Sequence, residues 1–126
     1  MIIECRTGNN VEIPGKTLEA ANLAALDLHR AQLENARLRG ANLDRATLRN
    51  ALLYRANLSG ASLVETALMV ADLSEADLRA ATLRCAGLNG ARLDGADLRQ
   101  ADLTARGEIP RAASLGLFAQ GVVAET

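Results

Sequence analysis

Leucine occupies every fifth position from Leu18 to Leu103, eighteen positions in one unbroken register, and Ile13 extends it one step upstream. Two residues before each leucine stands alanine, from Ala21 to Ala101, with Lys16, Leu26 and Thr66 as the exceptions. A periodicity of this kind has to be read before any secondary structure, because it dictates the architecture. Five residues of α-helix turn roughly 500°, so successive leucines would step about 140° and coat every side of it. On a strand the side chains alternate, and an odd spacing sends successive leucines to opposite faces. Neither element buries all the leucines in one core.

A closed coil does. If each five-residue unit forms one side of a square, every Leu and the Ala two before it point inward. Four units then close a turn of 20 residues, and residue i lies beside i+20. Residues 16–105 make about 4.5 such turns, a rod roughly 22 Å long at sheet spacing. Small Ala alternating with large Leu fills a narrow interior without voids. Burying each Leu contributes roughly 1.5–3 kcal/mol gross, against a backbone ordering cost of roughly 1–2 kcal/mol per residue. Several stacked coils are therefore needed.

The repeats Ala21-Asn22-Leu23, Ala41-Asn42-Leu43-Asp44-Arg45, Ala56-Asn57-Leu58-Ser59-Gly60, Ala71-Asp72-Leu73-Ser74-Glu75 and Ala96-Asp97-Leu98-Arg99-Gln100 follow the pattern A-(N/D)-L-x-x. On these residues the chain resembles the pentapeptide-repeat proteins. The resemblance implies an all-β fold, a right-handed quadrilateral parallel β-helix. The handedness comes from the resemblance and not from the period.

Residues 1–15 precede the register. Ile2 to Thr7, then Gly8-Asn9-Asn10, then Val11-Glu12-Ile13 predict a hairpin that caps the first coil, with Pro14-Gly15 at the join. Such a cap is needed because a stacked coil leaves an open edge at each end. After Leu103 the register fails. Pro110 can open a helix, and Leu115, Phe118, Ala119, Val122 and Val123 follow helical spacing, weakened by Gly116 and Gly121. Residues 106–126 are thus expected to form a helical cap, a dimerisation element through Leu115, Phe118 and Val122, or a disordered tail.

Stacking at i+20 turns the sequence into a surface map. Arg45 falls beside Glu65, Arg55 beside Glu75, Glu19 beside Arg39 and Asp72 beside Arg92, which predicts ion-pair ladders between coils. Arg79 falls beside Arg99 and Asp77 beside Asp97, and these two columns are expected to screen each other diagonally. Residues 30–55 hold six arginines and two acids, whereas residues 65–77 hold four acids and no base. Complementary bands can fix register. Alternatively Arg37, Arg39, Arg79 and Arg99, on one side, form a patch for an anionic partner. Leu52 and Tyr54 fall outward on one side, with Val64, Met69 and Val70 further round the coil; they are the second candidate contact region, or else the ordinary scatter of surface apolar residues.

Composition narrows the function classes. The chain of 126 residues is one domain with a net charge of −1, one Tyr, one Phe and no Trp. Without aromatic platforms, direct nucleic-acid binding is not expected. Residues 16–105 carry 11 basic and 11 acidic side chains, so the rod is formally neutral. No signal peptide or membrane span is visible. Cys5 and Cys85 have neither metal nor disulfide spacing, which points to a reducing cytoplasm. His29 is the sole histidine, so no Ser/His or Cys/His pair beyond it can be built. No catalytic residue, cofactor site or metal site is expected, and a convex rod offers no pocket. The expected function is a non-enzymatic protein-interaction or scaffold module. Some pentapeptide-repeat proteins mimic duplex DNA and bind DNA gyrase, so a DNA-mimicking regulator of a type II topoisomerase is the alternative. That role needs a negative field, which a neutral rod lacks.

Overall fold

The computed structural model describes residues 1–104. From Asn22↔Asn42 to Thr82↔Asp102, every residue that precedes a register leucine pairs in parallel with the residue 20 further on. Each pairing carries two backbone hydrogen bonds. For the first, Leu23 N–H donates to Asn42 O at 2.7 Å and Asn42 N–H to Ala21 O at 2.9 Å. A side of five residues, two of them in the corner, leaves room for one such pairing. The wall is therefore built of single-residue rungs, not long strands. The quadrilateral coil expected from the period is thus present rung by rung.

Leucines from Leu23 to Leu103 line the interior, and most have no exposed surface. Inward alanines from Ala41 to Ala101 pack between them, while Ala21, Leu26 and Ala36, at the N-terminal end of the stack, are partly buried. Thr66, the one hydroxyl at an alanine position, is also fully buried. Its Oγ1 donates to Leu43 O at 2.7 Å, which satisfies the group inside the core.

The corners explain the spacing. From Ala20 to Gln100 the residue two after each leucine has φ between 55° and 72°. The N–H of the following residue closes the turn on the leucine carbonyl, as in Ala31 to Leu28 at 3.0 Å. Positive φ at the third turn residue alone is the type II pattern. Glycine relieves this at Gly40, Gly60, Gly90 and Gly95, but thirteen corners use other residues. Left-handed backbone costs them roughly 1–2 kcal/mol each, and the ladders and core offset it.

The Asn or Asp before leucine supports the same corner. Asn57 Oδ1 accepts the Ser59 N–H at 3.0 Å, Asp72 Oδ1 the Ser74 N–H at 3.0 Å, and Asp102 Oδ1 the Thr104 N–H at 3.0 Å. These are Asx turns, in which the side chain holds a backbone donor two residues on. Where Ser62 stands instead, Asp44 of the preceding coil supplies the acceptor for Val64 N–H at 2.9 Å. The Asp44 carboxylate also takes the Ser62 hydroxyl.

At the N-terminus, β1 (Ile2–Ile3) pairs antiparallel with β2 (Val11–Glu12), Ile2 opposite Glu12 and Ile3 opposite Val11. Cys5 continues β1 onto the first coil, antiparallel to Ala31. Gln32 N–H donates to Glu4 O at 2.7 Å and Arg6 N–H to Arg30 O at 3.0 Å. Ile3, Cys5 and Ile13 are buried against the coil. The expected cap-or-dimer helix with Leu115, Phe118 and Val122 lies outside the described residues.

Candidate interaction surface

The i+20 register places Arg37, Arg39, Arg79 and Arg99 on one side of the coil, as expected, but in two different states. Arg79 grips Asp77 through two bonds, Nε to Oδ1 at 2.9 Å and Nη2 to Oδ2 at 2.7 Å. Arg99 grips Asp97 in the same way, at 2.9 and 2.6 Å. The Arg79 guanidinium holds the Asp77 carboxyl below the usual carboxylate range, and Arg99 does the same for Asp97. Arg37 and Arg39 are exposed and form no ion pair among the described residues.

These contacts correct the expected ladders. Screening of the Asp77/Asp97 and Arg79/Arg99 columns runs mainly within each coil; the diagonal Arg79–Asp97 pair is longer, at 3.8 Å. Of the four ladder pairs only Arg55–Glu75 forms, at 3.5 Å. Arg92 turns to Asp94 of its own coil, at 3.5 Å, and not to Asp72. An acid two residues before an Arg is already held by the turn, so the bidentate bond forms with little further ordering.

The apolar candidates do not share one side. Leu52 and Tyr54 lie on the side that continues through Asp72 and Arg92. Met69 and Val70 lie on the side before it and Val64 on the one before that. Leu52, Tyr54, Val64 and Met69 are half-buried, and Val70 alone is exposed, at 56%. Met69 lies across the next coil, its sulfur 2.8 Å from where a Cβ on Gly87 would stand. Tyr54 sits under the Arg55 guanidinium, 5.3 Å from ring centroid to Cζ. The neighbouring Glu75 carboxylate raises the phenol, and the phenol in turn lowers the Glu75 carboxyl.

Two open depressions were not read from the sequence. One, of about 580 Å³, lies between β1 and the first coil, with Ile2, Leu18, Leu33, Lys16 and Arg37 on its walls. The other, of about 510 Å³, lies between Arg39 and Arg79 over Asn57, Ser59 and Gly60. The signal for it was available: Ser59 and Gly60 are short side chains in columns next to long ones. Cys5 is buried, and burial raises its thiol pKa; Cys85 is exposed, and both are free. Among the described residues no group of three or more His, Cys, Asp or Glu could hold a metal, and no helix is long and apolar enough to cross a membrane.

Rungs at i+20, a leucine interior and left-handed corners define a quadrilateral β-helix solenoid. A family model described as pentapeptide repeats matches residues 10–40, 31–68 and 71–105 in 8 copies, and the chain belongs to that family, with its right-handed coil. The structure is similar to a pentapeptide repeat protein from the Arabidopsis thaliana thylakoid lumen, with 28% identity and a TM-score of 0.63 over 79% of this chain and 62% of that one. The chain therefore spans less than two thirds of that protein's length. A pentapeptide repeat protein of Nostoc PCC 7120 shares 34% identity over 86% of this chain and 80% of that one, with a TM-score of 0.39. QnrB1, a plasmid-mediated fluoroquinolone resistance protein, shares 17% identity over 72% and 54%, with a TM-score of 0.37. No curated protein matches the chain.

Proposed function

We propose that the chain is a non-enzymatic interaction module, a rigid rod that holds a fixed pattern of side chains against a protein partner in the cytoplasm. In this reading residues 1–15 cap its first coil and the repeats from residue 16 onward form the body. The observation that carries this reading is the split among the arginines. Arg79 and Arg99 are neutralised in place, whereas Arg37 and Arg39, on the same rigid wall, have no ionic partner among the described residues. A leucine-filled interior also leaves no room for substrate between the walls.

Affinity capture with the tagged full chain, quantified against Arg37→Glu/Arg39→Glu, tests this. A partner retained by the native chain and lost by the double variant is expected. Capture of none, or of the same proteins by both, contradicts it. The gyrase-regulator alternative has the family in its favour and the neutral charge of residues 16–105 against it. A DNA gyrase supercoiling assay separates the two: the interaction reading expects no inhibition and no protection from a fluoroquinolone at micromolar protein.

A further inference from the structure

Along the arginine-bearing side the residues that follow leucine run Glu19, Arg39, Ser59, Arg79, Arg99. Coils stack about 4.8 Å apart, so Ser59 is a short side chain between two cations whose backbones are about 9.6 Å apart. The adjoining corner runs Gly40, Gly60, Ala80, all short, and only Gln100 on the coil beyond reaches the edge of the gap. The resulting hollow of about 510 Å³ is lined by Arg39, Asn57, Ser59, Gly60, Arg79 and Gln100, with no carboxylate in its wall.

The hydrogen bonds already made decide what remains available. Asn57 Oδ1 takes both the N–H and the hydroxyl of Ser59, at 3.0 and 2.7 Å, which leaves the Asn57 amide NH2 as its unengaged group. Arg79 uses Nε and Nη2 on Asp77, and its Nη1 has no partner among the described residues. The Arg39 guanidinium has none there either. The hollow thus offers chiefly donors and one unpaired cation, Arg39, with the Arg79 Nη1 free although that guanidinium is held by Asp77, which suits an anion with planar, paired acceptor oxygens. Beyond Arg39 stands Glu19, and beyond Arg79 stands Arg99, which like Arg79 is already held by its own aspartate, so a continuous polyanion along the rod would meet a carboxylate at one end and no free cation at the other. No aromatic side chain lines the hollow for bases to stack on. An extended peptide sets alternate side chains about 7 Å apart, within reach of both arginines.

The geometry points to a docking site for a short acidic protein segment, whose Asp or Glu carboxylates pair with Arg39 and accept from the free Nη1 of Arg79 across Ser59. This names the partner chemistry of the interaction reading and rests on it. The probe is a fluorescein-labelled peptide of alternating glutamate and glycine, followed by anisotropy at low ionic strength. Its glutamine counterpart and an oligothymidylate of equal charge serve as comparisons. Arg39→Gln and Ser59→Leu, which fills the hollow, should each weaken the peptide about tenfold, the worth of one charge-assisted bond. Arg49→Gln, on another side, should leave it within about twofold. Circular dichroism checks that each variant keeps the coil, and Ser59→Leu decides the matter if Arg39→Gln does not fold.

Binding of the native chain weaker than about 1 mM overturns the proposal. Equal loss in all three variants overturns it as non-specific attraction, and tighter binding of the oligothymidylate overturns it in favour of nucleic acid. Failure here together with partner capture that still depends on Arg37 and Arg39 sinks the acidic-segment site and leaves the interaction module standing. Peptide binding with no partner captured does the reverse.

Discussion

At Val70 a β-branched side chain is held at φ 60°, where most L-residues are strained and branched ones most of all. The residue is 56% exposed, so little packing opposes a change. Val70→Gly should stabilise the chain by ~0.5–1 kcal/mol in urea unfolding, the left-handed relief exceeding the chain entropy that glycine adds. Gly40 is the converse. A Cβ there would meet no atom within 4 Å, so Gly40→Val carries the backbone penalty alone and should cost about 1–2 kcal/mol. At Asp77 and Asp97 the arginine bonds lower the folded carboxyl pKa relative to the unfolded chain. Their stabilisation is therefore present above the unfolded value of about 3.9 and is lost as pH falls through the lower folded values. Asp77→Asn/Asp97→Asn should lower stability at neutral pH and flatten the decline below pH ~4, measured by urea midpoints across that range.

At the scale of the five-residue side, the inward and outward positions were legible because burial depends only on the leucine period. Leu58 and Ala61 are buried where the register puts them. Leu58→Ala should cost about 2–5 kcal/mol, since a filled coil cannot collapse on the cavity. Thr66→Ala should cost only about 1 kcal/mol, because Leu43 O keeps its bond from Ala46 N–H at 3.0 Å. Both follow from thermal or urea unfolding. What the period did not carry was which charge meets which. Column neighbours such as Arg45 and Glu65 looked paired, yet each such exposed bond is weak against the freedom of two long side chains. The Asp77–Arg79 bond forms instead because the Asx turn has already fixed the aspartate. The corner strain at Val70 was also invisible, since a Val at an outward position reads as ordinary β preference.

Over the whole molecule, the coil makes function a matter of relative placement. Coils contact only their neighbours, so the spacing from Arg39 to Arg79 is set by two sets of backbone rungs and changes little without local unfolding. The sequence placed the arginines on one side and the Asp77/Asp97 column as a screen for Arg79 and Arg99; what it did not carry was that each pair closes within its own coil and leaves Arg37 and Arg39 alone. The most direct test places a photo-crosslinking amino acid on each side of the rod in living cells, at Gln100 on the rim of the hollow and at Val64, Met69 and Asp94 on the other three sides, in turn. A discrete adduct from position 100 that disappears with Arg39→Glu is the expected result. Adducts from position 64, 69 or 94 with none from 100, or an adduct at 100 that Arg39→Glu leaves intact, would contradict the account.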